Sequence, residues 1–205
     1  MAALSEHIAR RANLEDGCSG RFWQGRFGCR EITQENALLV CGMYVDLNPI
    51  RAGEVWTPEE ATYSSACFRI RARSDALEGK DSERPMDRWL APLTLQPDQL
   101  GDVPCTSGFR ASDKGLLSMS LDDYLRLLDW TGRQIREDKR GAIPADLAPI
   151  LERLGIVPEE FVETVTTFSR RFPRLAGPVE QLAARAKEVG RGWLHGVRHA
   201  ARVFR

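Results

Sequence analysis

Tyr44 is the side chain of this sequence best placed to do chemistry. It lies near the end of an apolar run, seven residues before Arg51, in Tyr44-Val45-Asp46-Leu47-Asn48-Pro49-Ile50-Arg51-Ala52-Gly53. A phenolate can attack a phosphodiester and leave a covalent phosphotyrosine, which conserves the bond energy for rejoining. A neighbouring arginine suits the phosphate in such a step. The competing assignment is simpler: Tyr44 is an amphipathic core residue whose hydroxyl meets a backbone acceptor.

Either role needs a rigid element. Ala37, Cys41 and Tyr44 recur at i, i+4 and i+7, and Leu38, Cys41 and Val45 form an overlapping stripe, so the spacing predicts an amphipathic helix from 34 to about 47. Asn48 precedes Pro49, which disfavours the helical region for Asn48 and is expected to stop the helix there. Gly53 can then supply a turn with positive φ.

The motif Tyr-Val-x-x-Asn-Pro-Ile-Arg-Ala-Gly resembles the signature of the REP-associated tyrosine transposases, members of the HUH single-strand DNA transposase superfamily. Two flanking segments match in order. Gly20-Arg21-Phe22-Trp23-Gln24-Gly25-Arg26-Phe27 resembles the family's Gly-x-Phe-Trp-Gln-x-Arg-Phe strand, and Tyr63-Ser64-Ser65-Ala66 resembles its aromatic-Ser-Ser segment. The resemblance covers residues 4 to about 73. It implies that Tyr44 is the nucleophile, and that the first part of the chain is the rear portion of a ferredoxin-like domain. It implies DNA contacts for Arg21, Trp23, Arg26, Arg30, Asn48, Arg51, Ser64 and Ser65.

In that family two histidines flanking one hydrophobic residue bind a divalent metal, Mg²⁺ or Mn²⁺, which polarises the scissile phosphate. The histidines here are His7, His195 and His199, and His-x-His does not occur. The resemblance places the pair some tens of residues before the tyrosine, beyond Met1, so a family member missing its front end is expected, with no metal site in this chain. His7 has no partner at metal spacing, and His195 and His199 lack a third ligand.

Bulk properties restrict the remaining choices. The 205 residues carry 29 basic and 29 acidic side chains, a formal net charge of +0, so only local patches can recognise nucleic acid. Five scattered cysteines without a Cys-x-x-Cys pair indicate reduced thiols rather than a disulfide framework or zinc knuckle. No apolar run is long enough for a membrane span, and the start lacks the basic and apolar regions of a secretory signal. A cytoplasmic protein with no membrane partner is the expectation.

Along the chain, residues 4–13 predict a short helix, and aromatic alternation over Phe22–Phe27 predicts a strand. Arg21, Arg26 and Arg30 among those aromatics suit phosphate contact and base stacking on single-stranded DNA, although a half-buried strand with solvated arginines has the same pattern. Thr57-Pro58-Glu59-Glu60 carries the signals of a helix start. Ser64 and Ser65 lack a base at interpretable spacing, which points to phosphate or backbone hydrogen bonding. Arg69, Arg71 and Arg73 alternate as a basic face, either toward DNA or toward solvent.

Residues 74–113 are rich in proline, glycine and acidic side chains and read as a linker, with Trp89-Leu90-Ala91-Pro92-Leu93 as an apolar island. Ser120 and Asp123 form a capping signal for a helix over 121–138, which Gly141 and Pro144 should end. Further helices are predicted over 146–154, 158–171, 178–189 and 193–203. From Arg170 onward there is an excess of about seven positive charges, suited to gripping DNA hairpins or to solvation alone.

The expected architecture is α+β: a partial transposase-like domain over 1–73, a linker over 74–113, and an all-α helical region with a basic end over 114–205. An open sheet edge in the first part would favour homodimerisation. Three functions stay open: a tyrosine transposase that cleaves and rejoins single-stranded DNA, a non-catalytic DNA-hairpin binder, and a degenerate mobile-element remnant.

Overall fold

The computed structural model describes residues 2–25, 28–80, 85–99, 101, 103–136 and 148–204. The chain divides into two compact units, Met1–Glu31 and Ile32–Arg205. Residues on both sides of positions 73 and 113 belong to the second unit.

The first unit is built on helix α1 (Ala2–Glu15), which covers the predicted 4–13 segment and buries none of its side chains. Salt bridges between Glu6 and Arg10 and between Arg11 and Glu15 support it at i, i+4 spacing. The strand expected over Phe22–Phe27 does not form in its described part: Trp23 to Gly25 bend instead. A strand needs a neighbouring backbone to pair with. Here the local hydrogen bonds run back to α1 and its turn, from the Trp23 indole N–H to the Ser5 carbonyl (2.8 Å) and from the Asn13 amide to the Gly20 carbonyl (3.0 Å). Arg26 and Phe27 lie outside the described residues.

The second unit is mostly helical, with a two-stranded sheet of β1 (Glu31–Ile32) and β2 (Leu175–Ala176). Helix α2 (Glu35–Asp46) runs through its core and packs chiefly on α7 (Pro158–Arg171). Ala37, Val40, Met43 and Leu47 are fully buried, as is Leu39, whereas Val45 is exposed and Cys41 and Tyr44 are half-buried. The buried face is therefore rotated from the expected stripe, and Tyr44 stands at its margin.

The chain re-enters a helix where a stop was expected. Leu47 ends α2 in a helical conformation and also caps α3 (Asn48–Arg51), in whose first turn Pro49 sits. The N–H groups of a first turn have no helical acceptor, so the one proline lacks is not missed there. Gly53 closes this turn at φ +74°, as expected.

Thr57 and Glu60 form the predicted capping box, but it encloses one 3-10 turn, Pro58–Glu60. The longer helix α4 (Ser65–Leu77) follows, with Ser64 as its N-cap. Beyond it the expected linker is anchored to the core: Leu93 and Leu117 are buried, and Thr94 bridges to Leu117. Trp89 meets Phe68 edge-on at 5.3 Å. The apolar island thus docks, and the Ala91 carbonyl accepts a 2.8 Å bond from Arg69.

Helix α5 (Leu121–Arg136) starts at the predicted cap, where the Ser120 hydroxyl oxygen accepts from the Asp123 N–H at 3.0 Å. Its expected end, at Gly141 and Pro144, lies outside the described residues. Helices α6 (Ala148–Arg153), α7 (Pro158–Arg171), α8 (Val179–Glu188) and α9 (Val197–Val203) follow. Only α9 is much shorter than expected, because Gly196 at φ +103° precedes it and breaks the helix. The expected all-α region also contributes β2 to the sheet.

Phe161, Phe168 and Phe172 on and beside α7 are fully buried with Leu127, Leu128 and Leu182. Among the described residues no helix is long and apolar enough to cross a membrane.

Candidate nucleic-acid interface

Tyr44, Asn48 and Arg51 come together at the α2–α3 junction. The guanidinium carbon of Arg51 lies over the Tyr44 ring, 4.9 Å from its centroid, and a long 3.5 Å bond links Arg51 Nη1 to Asn48 Oδ1. The ring also packs on Phe168, centroid to centroid 5.8 Å and tilted by 41°. One helical turn separates Tyr44 from Asn48 and another nearly reaches Arg51, so the continuous α2–α3 path aligns all three. The result is an aromatic ring held on one side chain and covered by a cation, beside an exposed amide.

Below this junction is a polar cluster that the sequence reading passed over. Asp46 is 2 % exposed, at the end of a helix whose other buried residues are apolar apart from Asn36. Its Oδ1 accepts from the Ser65 hydroxyl at 2.7 Å and from the Ala66 N–H at 3.3 Å, and its Oδ2 accepts from the Tyr124 hydroxyl at 2.7 Å. The carboxylate thus sits at the N-terminus of α4, where the helix dipole favours a negative charge. Burial, with the Asp46 charge second, raises the Tyr124 phenol well above its ordinary value, so Tyr124 stays protonated and donates. A carboxylate at the i+7 position of a Leu39, Met43 stripe was the available signal for it.

Ser64 and Ser65 are engaged within this arrangement. The Ser64 hydroxyl oxygen accepts from the Cys67 N–H at 3.1 Å, and Ser65 donates to Asp46. Ser64 is a helix cap, in line with the backbone-bonding option, whereas Ser65 bonds a side-chain carboxylate and ties two helices.

The expected alternating basic face at Arg69, Arg71 and Arg73 does not form on α4, whose period leaves Arg69 and Arg73 on one side and turns Arg71 to another. Arg69 is buried against the Ala91 carbonyl, Arg71 is exposed, and Arg73 grips Asp122 with two 2.8 Å bonds.

In the first unit Arg21 is exposed and Arg30 half-buried. Trp23 meets Phe22 edge-on at 4.8 Å and is 45 % exposed. With Ala9 and Gly20 they border a shallow cleft of about 410 Å³. An exposed ring and arginine here provide the chemical parts for a base and a phosphate.

The basic end is partly neutralised from within. Arg202 pairs with Glu160 through two 2.7 Å bonds, Arg171 reaches Glu163 at 3.4 Å, and Arg185 reaches Glu188 at 2.7 Å. Glu160 and Glu163 precede Arg170 on α7, so a count starting at Arg170 overstates the excess. Arg170, Arg174, Lys187, Arg191 and Arg198 remain exposed.

His195 and His199 make separate contacts. His195 precedes α9 and its Nδ1 donates to the Arg171 carbonyl at 3.1 Å, while His199 is buried against the Thr164 hydroxyl at 3.1 Å. They are not one face of one helix. Among the described residues no cluster of three or more His, Cys, Asp or Glu side chains could hold an ion.

Comparison with family models, curated proteins and solved structures finds no match for this chain.

Proposed function

We propose that this chain is a transposase-like protein of the single-strand DNA class. Its first segment is the rear portion of a ferredoxin-like domain, and Tyr44 occupies the position of the nucleophile. On its own it binds single-stranded or hairpin DNA without cutting it. The observation that carries the reading is the Tyr44, Asn48 and Arg51 grouping, in which three residues of one motif meet at one helix junction with the cation over the ring. A guanidinium there can meet a phosphate while the amide and ring border the sugar or base. The first unit, taken by itself, offers phosphate and stacking contacts through Arg21, Trp23 and Arg30.

Cleavage demands more than this grouping. A phenol with an ordinary pKa of about 10 is a weak nucleophile at neutral pH unless the phosphate is polarised. The 205 residues contain no His-x-His, and His195 and His199 bond to the Arg171 carbonyl and the Thr164 hydroxyl. We therefore assign a cytoplasmic, non-cutting DNA-binding role to this chain, with a second copy of the chain as a further partner.

The test is to incubate the purified protein with Mg²⁺ or Mn²⁺ and hairpin oligonucleotides bearing single-stranded flanks. A mobility shift on native gels without a covalent adduct on denaturing gels is expected. A Tyr44-dependent adduct would overturn the non-cutting assignment, and no shift at low salt would overturn DNA binding itself.

A further inference from the structure

The cleft between the end of α7 and the connection from α8 to α9 holds about 590 Å³, enough for a nucleobase, and is lined by Arg171, Trp193, His195, Gly196, Arg198 and His199 among others. The sequence reading gave Trp193 no role. It is 70 % exposed, an unusual position for a ring with so much apolar surface to hide.

Two buried nitrogens of this lining have no hydrogen-bond partner: Nε of Arg171 and Nδ1 of His199. Their donor and acceptor roles can be assigned. The Thr164 hydroxyl donates its single proton to the Glu160 carbonyl at 2.6 Å, so its oxygen must accept from His199 Nε2–H at 3.1 Å. That fixes the neutral ring as the Nε2–H tautomer and leaves Nδ1 as a bare acceptor, while Arg171 Nε–H is a donor. His199 is 4 % exposed, so the acceptor is nearly sealed from solvent. Burial, and next the Arg171 charge, hold the imidazole below its ordinary value and favour this neutral form.

The walls are fixed by packing. A side chain at Gly196 would meet the Arg171 carbonyl at 2.9 Å and the Phe172 ring at 2.9 Å, so only glycine lets the connection close against α7. The same carbonyl accepts from His195 Nδ1, pinning the connection. Exposed Arg198 lies in the lining, and exposed Arg170, Arg174 and Arg191 stand on the same segments.

Resting on the DNA-binding reading above, we infer that this cleft receives one unstacked nucleobase of a single strand. Trp193 provides the stacking face and the surrounding arginines hold the flanking phosphates, while the sealed Arg171 and His199 nitrogens stay behind the lining. Stacking uses the face that every base has, so the site reads the presence of a base more than its identity. A cation patch alone would be satisfied by phosphates and would not need an exposed ring.

The test compares the intact protein's affinity for a deoxycytidine oligonucleotide and for an abasic strand of equal length and charge, in the same salt, for wild type and Trp193→Ala. Trp193 is exposed, so its replacement should leave folding intact, which a thermal melt checks. The expected result is roughly tenfold tighter binding of the intact strand by wild type, lost in Trp193→Ala, with abasic affinity unchanged. Equal wild-type affinity for both strands would overturn the base site while leaving DNA binding standing. An equal loss on both strands in the variant would also overturn it, and failure of both strands to bind would overturn both readings.

Discussion

The Tyr124 hydroxyl donates to Asp46 Oδ2 at 2.7 Å, joining α5 to α2 across 78 residues of sequence. With Ser65 and the Ala66 N–H on the other oxygen, this carboxylate ties three helices together beneath the Tyr44 junction. Removing one partner leaves a buried group unsatisfied, which is the expensive case for a hydrogen bond. Tyr124→Phe should lower unfolding stability by about 2 kcal/mol and Asp46→Ala by about 3 kcal/mol. Urea denaturation checks both, and the double variant should cost less than the sum, since both remove the same bond. Additive losses would mean the two residues act separately.

Tyr44 has packing as well as its assigned role, and the two separate by substitution. Tyr44→Phe keeps the ring under Arg51 and against Phe168, so stability should change by no more than about 1 kcal/mol. Tyr44→Ala loses both contacts of a half-buried ring and should cost about 2 kcal/mol or more. Equal losses in the two variants would place the hydroxyl, not the ring, at the centre of its structural contribution.

Acid should weaken the α7–α9 packing through His199. Its folded pKa is lowered from the ordinary 6.5, first by burial and then by Arg171, with Arg202 adding to the shift and Glu163 and Glu160 opposing it. The unfolded chain therefore binds the proton more readily than the folded one. The stability tied to the neutral ring is fully present above about pH 6.5 and is lost as pH falls through the lower folded value. Melting temperature followed from neutral pH downward should show this loss, and His199→Asn should flatten it. An unchanged slope in that variant would remove His199 as the cause.

Much of the helical half was legible because its signals are local. Ser120 with Asp123 is a statement about a single turn, so α5 starts where expected, and α7 spans the expected 158–171. The strand at Phe22–Phe27 was misread because alternation predicts a strand only if a partner backbone exists, and side-chain bonds to α1 and its turn decided otherwise. Asp46, Arg69 and His199 were not recognisable, since each is defined by partners distant in sequence: Tyr124, the Ala91 carbonyl and Thr164. Tyr44 and Arg51 were legible as a pair because seven residues bring them to one side of consecutive helical turns.

The exposed cations at the basic end carry an electrostatic prediction. Each phosphate neutralised on a single strand adds about 0.7 to the slope of log K against log salt. Replacing Arg170, Arg174 and Arg198 together by glutamine should reduce that slope by about 2. These residues are exposed, so circular dichroism should stay unchanged. An identical salt slope would assign the affinity to another surface.

The most direct measurement for the whole account is fluorescence anisotropy of a labelled DNA hairpin with a single-stranded flank, titrated with wild type and with Arg51→Ala at low salt. The account predicts saturable binding that is stronger than to blunt duplex of the same length. It also predicts a loss of about fivefold in Arg51→Ala, as expected for one charge-assisted phosphate contact, with the melting temperature shifted only slightly. Indistinguishable affinities for the two proteins, or no binding at all, would contradict the assignment of the Tyr44–Arg51 junction to DNA.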